Sequence, residues 1–305
     1  MLQVLCINSL LATDGPITLI GKVSNPSIGE MSGIVASRRY PGVYWVHNDA
    51  NNTLNIFAID RLGNDIIPNN LRRHYYSEKA ESGKELWPGL SLESATNGDW
   101  EDIALDGDFL YIADLGNNKN TRRDMGVYVL YEPNPGFVKQ SKILKFLPVR
   151  YPEQNNYPAI EWHFDSESLF VVDGKLHFLT KHRQPGKARS WQSDANLYRL
   201  ETAHTDQVNI LKKIDTNKNI TLATGADLSP DGNKLAVLSY TGLWIFDKPL
   251  SGDRWLSGTP HMIVLEPGTT RQIEAVCWDD NETILISNEQ GEIYEVKLAN
   301  IPPLN

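Results

Sequence analysis

A chain of 305 residues, 41% hydrophobic and 22% charged, has the composition of a globular protein with a sizeable core. Its formal charge of −9 disfavours nucleic acid and anionic membrane surfaces as partners, and no apolar run approaches the roughly 18 residues that cross a bilayer. Two cysteines are too few for a disulfide scaffold or a zinc site.

Residues 2–12 are apolar but lack the basic start of a signal peptide; they read as an outer strand, with the remnant of a trimmed leader as the alternative. From there the chain breaks into short strands separated by turn residues. Residues 17–23 form a spare strand ahead of the first repeat, which reads 33–37, the Pro41-Gly42 turn, 43–46 and 53–59. Residues 61–99 are too polar for a blade of their own and read as an outer strand plus a long surface insertion. The second repeat runs 103–105, 109–113, 126–131 and 142–147, and the third 168–172, 175–180, 196–201 and 208–214. In the fourth, Ser229-Pro230-Asp231-Gly232 is a turn in which proline fixes φ and glycine accepts a positive one; its strands are 234–239, 243–247 and 262–265. The fifth shows 275–278, 283–287 and 292–298 and lacks a fourth strand.

One short phrase opens every repeat: an acidic or hydroxyl residue, a brief apolar strand and a turn. Its copies begin at 32, 101, 167, 225 and 274, in steps of 69, 66, 58 and 49 residues, and the wrap through the C-terminus back to 32 takes 63. That spacing predicts an all-β, five-bladed β-propeller, one domain over 1–305, whose ring closes when 17–23 completes the last blade. If residues 2–12 also join that blade, Cys6 and Cys277 share it, which leaves open whether they pair. Trp100, Trp162, Trp244 and Trp278 read as packing between blades.

The register places Glu101, Glu167 and Glu274 at equivalent positions facing a central channel, with Ser32 adding an oxygen. Converging carboxylates repel unless a cation joins them, and hard oxygen ligands in a roomy ring suit calcium better than magnesium or zinc. Gly225 offers only backbone oxygen or space for water, so Asp227 is the fallback ligand in the fourth blade. The alternative is that the glutamates cap strand amides and line a water-filled tunnel.

The order Ser32, Glu101, Glu167, a gap and Glu274 resembles the soluble calcium-activated nucleotidases (apyrases), five-bladed propellers with a channel calcium. That resemblance implies that these four residues hold the ion, although the family has a serine where this chain has Gly225. A closer resemblance is to bacterial propeller proteins of uncharacterised activity. It rests on His47-Asn48-Asp49, Glu101-Asp102-Ile103-Ala104, Asp114-Leu115-Gly116-Asn117-Asn118 and the Thr224-Gly225-Ala226-Asp227 turn that runs to Gly232. It implies the fold, brings no activity, and favours a periplasmic or secreted location.

The second strand of each repeat ends in polar residues expected around one mouth of the channel. Asp49, Asp114 and Glu289 are candidate bases, His47 and His182 candidate acids, and Lys181 and Arg122 candidate phosphate contacts, with Asn117, Asn118 and Asn288 as further ligand contacts. The leading reading is a calcium-binding hydrolase acting at that mouth on a phosphate ester, phosphoanhydride or lactone. The other is a non-catalytic propeller that binds a small molecule or a protein, its metal structural or absent. The chain is expected to be monomeric.

Overall fold

The computed structural model describes residues 15–49 and 54–304. The apolar stretch 2–12, Cys6 and the start of the 53–59 strand lie outside the described residues.

The chain is a five-bladed β-propeller, each blade an antiparallel meander numbered from the channel outward. Blade one is Met31–Ala36, Tyr44–Asn48, Asn55–Ile59 and Leu90–Glu93; blade two is Trp100–Asp106, Phe109–Asp114, Gly126–Tyr131 and Lys145–Arg150. Blade three is Trp162–Val172, Lys175–Gln184, Ser193–Arg199 and Lys212–Thr221; blade four is Ala223–Leu228, Lys234–Ser239, Gly242–Asp247 and His261–Val264. Blade five supplies Ile273–Trp278, Thr283–Asn288 and Glu292–Lys297, and Ile17–Lys22 pairs antiparallel with Glu292–Lys297 to complete it. The N-terminal strand thus covers what would be an open edge and locks the ring.

The strands form where the sequence places β-branched and aromatic runs, and the turns form where side chains satisfy local backbone. At 229–232, Gly232 sits at φ 69° while the Ser229 hydroxyl accepts hydrogen bonds from the Asn233 and Lys234 amides at 3.2 and 2.9 Å. Two expected strands divide. Within 142–147, Lys142 belongs to Gln140–Lys142, which pairs parallel with Leu90–Glu93 of blade one, whereas Lys145–Arg150 stays in blade two. Likewise Asn209–Ile210 pairs parallel with Lys145–Arg150, and blade three's outer strand begins at Lys212. These short pairings lace blade one to two and blade two to three at the rim.

The core is five apolar clusters, one between each pair of neighbouring blades, so the ring closes in packing as well as in pairing. Trp100 packs between blades one and two, Trp162 between two and three, Trp244 between three and four, and Trp278 between four and five. The fifth cluster, around Met31, Phe57, Cys277 and Ile293, joins the first and last blades. From the insertion, Ile67 and Trp87 are buried in this same cluster, with Tyr75 against it.

Candidate functional site

Each inner strand carries a β-bulge near the same end of the channel, and that of blade three has a second irregularity between Trp162 and Asp165. The ladder passes from Met31↔Asn48 to Gly33↔His47 and skips Ser32; it skips Glu101, Glu167, Thr224 and Glu274 in the same way. A bulged residue leaves the ladder and its side chain is re-aimed. The fourth ring position is therefore Thr224, one residue before the expected Gly225. A Cβ on Gly225 would press within 3.2 Å of the Glu274 carbonyl, so the glycine serves close strand packing. The two hydroxyls clamp neighbouring blades: Ser32 donates to the Glu101 carbonyl at 2.8 Å and Thr224 to the Ile273 carbonyl at 2.9 Å. Asp227 is no fallback ligand here. It accepts the Trp278 amide at 2.8 Å and lines a separate cavity at the opposite end of the channel.

The mouth opens into a cavity of about 820 Å³ with zoned walls. Glu30, Asp49, Glu101, Glu167, Glu274 and Glu289 supply carboxylates; Lys181, Arg183, Arg189 and Arg271 supply cations; Trp191, Leu222, Tyr240 and Pro267 form an apolar lip. The residues two before the bulges reinforce the acidic zone. Asp99 and Asp165 stand beside Glu101 and Glu167, and oxygens of Asp49, Asp99 and Glu101, and of Glu101, Asp165 and Glu167, lie within 4.8 Å of one another.

These two triads share Glu101 but differ in charge balance. In the second, Lys181 reaches both oxygens of Glu167, Arg183 contacts Asp165 at 3.2 Å, and the Asn117 amide donates to Asp165 at 2.6 Å. Burial works against the Lys181 charge, but Glu167 and Glu274 outweigh it and hold the ammonium firmly protonated. Lys181 also donates to the Tyr240 hydroxyl at 3.2 Å, which donates to Glu274 at 2.8 Å. Glu167 and Glu274 are thus bound into a protein network. The first triad has no such partner: among the described residues, no lysine or arginine pairs with Asp49, Asp99 or Glu101.

The consequences are visible in the acids themselves. Burial, then Asp99, pushes Asp49 up to about 8; burial, then Glu167 and Asp49, pushes Glu101 well above its usual range. Glu101 is only 4% exposed, and among the described residues its carboxylate accepts no hydrogen bond; Asp49 Oδ1 is buried without a donor. Gly116 fits closely over the cluster, where a Cβ would lie 2.1 Å from Glu101 Oε1 and 2.3 Å from Asp99 Oδ2. An all-oxygen donor set, an orphaned carboxylate atom and this cradle fit a hard divalent cation at Asp49, Asp99 and Glu101. They do not favour a symmetric ring of three glutamates.

Of the sequence-derived site residues, Ser32, Asp49, Glu101, Asn118, Glu167, Lys181, Glu274 and Glu289 line the cavity. Burial, then Glu274 and Glu30, raises Glu289 to about 7. The others are taken up by the scaffold and do not line it. His182 alternates with Lys181 and Arg183 on one strand, so it points the opposite way, stacked on His163 at 4.0 Å and bonded to Thr180 at 2.8 Å; burial depresses it to about 3. His47 is buried edge-on to Trp100, and burial lowers it to about 4. Asp114 accepts the Gly98 and Asp99 amides and pairs with Arg122 at 2.8 Å, which fixes the loop bearing Asp99. Asn117 bonds the Phe164 carbonyl at 2.9 Å, and Asn288 the Thr270 carbonyl at 3.0 Å.

Sequence reasoning passed over Asp99, Asp165 and Gln272, although a signal existed. Asp99-Trp100-Glu101, Asp165-Ser166-Glu167 and Gln272-Ile273-Glu274 share one spacing, and period-two alternation would have nominated the residue two before each glutamate. Blade three's inner hairpin also runs further than expected, to Gln184, and continues as Lys187–Trp191, which carries Arg189 and Trp191 to the mouth.

No family model matches the sequence, and comparison with curated proteins finds no match. Among solved structures, the chain is similar to a luciferin-regenerating enzyme (12% identity, covering 95% of this chain and 78% of that one, TM-score 0.47). It is similar to the PQQ-bound aldose sugar dehydrogenase of Streptomyces coelicolor (12% identity, 92% and 97% coverage, TM-score 0.42). Hydrazine synthase of Kuenenia stuttgartiensis gives 10% identity, 88% and 83% coverage and a TM-score of 0.44. At these values nothing specific to those proteins is carried over to this chain.

Proposed function

We propose that the channel mouth is the active site of a cation-dependent hydrolase acting on a small phosphate ester, phosphoanhydride or lactone. The observation that carries this reading is the cavity wall, where Asp49 and Glu101 of a carboxylate triad that forms no ion pair among the described residues, a carboxyl raised to about 7 and several cations face one space. Asp49, Asp99 and Glu101 would hold the cation, and calcium suits their hard oxygens. Bound there, the ion supplies electrophilic polarisation of a substrate oxygen.

The remaining roles fall to this chain's own side chains. Glu289 at about 7 accepts the proton of an attacking water without leaving its working range. Arg271 and Arg189 at the rim attract and orient an anionic substrate. Lys181, anchored between Glu167 and Tyr240, keeps the channel floor rigid and electrically balanced.

The test is a screen of phosphate monoesters, phosphoanhydrides and lactones in the presence of calcium, with wild type and Glu289→Gln compared on any substrate found. Turnover should fall by about 10²-fold or more in the variant while the fold persists. Turnover indifferent to that change would remove Glu289 as the base. No turnover on any of the three classes would make the non-catalytic binding propeller the better reading.

A further inference from the structure

Seven of the eight tryptophans are buried structural residues, whereas Trp191 is 50% exposed and lines the cavity. It sits on the hairpin Lys187–Trp191 that blade three projects at the mouth. Trp191 pairs across the strands with Arg183, and Arg189 precedes it by two residues, so alternation gives the indole and both guanidinium groups one face. All three line the same cavity, with Leu222, Tyr240 and Pro267 completing the lip. Arg183 is engaged by Asp165, but Arg189 is exposed and makes no ion pair among the described residues. A half-exposed indole flanked by cations has no packing role that the fold requires. An oxyanion carrying a flat apolar group would use both features: the ring lies against the indole while the anion meets the guanidinium.

We propose that the Lys187–Trp191 hairpin is a ligand-selecting lip that recognises an oxyanion bearing an aryl or similarly planar substituent. This inference rests on the proposed hydrolase pocket and names its substrate class.

Calorimetric titration of the intact protein in calcium, with phenyl phosphate, methyl phosphate, benzoate and acetate, tests it. Phenyl phosphate should bind about tenfold more tightly than methyl phosphate. Trp191→Ala should bring it down to the level of methyl phosphate, Trp191→Phe should keep the preference, and Arg189→Gln should weaken both phosphates. A preference for benzoate over acetate with the same Trp191 dependence supports the lip and assigns the anion as a carboxylate. Equal affinity of aryl and methyl probes, a preference that survives Trp191→Ala, or no binding of either aryl probe overturns the proposal. An aryl preference without turnover leaves the lip standing and removes the hydrolase; turnover with no aryl preference does the reverse.

Discussion

Lys181 is 2% exposed and holds a glutamate in the middle of an acidic channel. Removing its charge leaves Glu167 buried with the Arg183 guanidinium, 3.8 Å away, as its remaining cation, a loss of up to about 3–5 kcal/mol, the range for a broken interior ion pair. Lys181→Met is therefore expected to melt well below wild type in chelator and to regain part of the loss in calcium, because the second triad then keeps Arg183 alone as its internal cation. A variant as stable as wild type in chelator would contradict this role. His177 makes a separate, pH-dependent contribution. It is buried, stacks on Phe170 at 5.1 Å, and burial lowers it from 6.5 to about 4. Between those values the unfolded chain binds a proton that the folded protein refuses, so stability is present above about 6.5 and is lost as pH falls toward 4. From pH 7 to 5 this amounts to about 2 kcal/mol. Melting curves at both pH values should show a smaller acid-induced drop in His177→Phe than in wild type; equal drops would exclude the effect.

At the scale of elements, the closing strand and the shared bulges decide most of the architecture. Ile17–Lys22 passes so close to the insertion that a Cβ on Gly21 would stand 2.3 Å from the Leu62 carbonyl oxygen, a backbone atom that cannot swing aside. Gly21→Val should loosen the last blade by about 1–3 kcal/mol, lower the melting temperature by several degrees and expose the Glu292–Lys297 edge to self-association. Light scattering and melting check it, and a monodisperse variant with unchanged stability would contradict it. The strands themselves were legible because five copies of one phrase reinforce each other. The bulge was not, since it displaces the ladder by one residue without changing composition, and so Gly225 stood in for Thr224. Polar strand ends were ambiguous for another reason. His47, His182 and Asn288 have the same chemistry as cavity-facing residues, but their strands turn them into the packing between and behind blades. Alternation within 181–183 does separate His182 from its neighbours once that stretch is known to be strand rather than loop.

Across the whole molecule, the acidic mouth sits on a chain of net charge −9, and its repulsion falls on the junction of blades one and two. Asp49 follows the second strand of blade one, whereas Asp99 and Glu101 lead into blade two, so a cation there ties two blades together. The most direct test is thermal melting of metal-stripped protein titrated with calcium and, separately, magnesium. Binding to the folded state alone should stabilise by about 2.7 kcal/mol at one hundred times the dissociation constant. Calcium is expected to raise the melting temperature at micromolar concentration, with magnesium weaker. The shift should vanish in Glu101→Gln and Asp49→Asn and persist in Glu274→Gln. No shift with either ion, or one abolished equally by Glu274→Gln, would contradict a cation held at Asp49, Asp99 and Glu101.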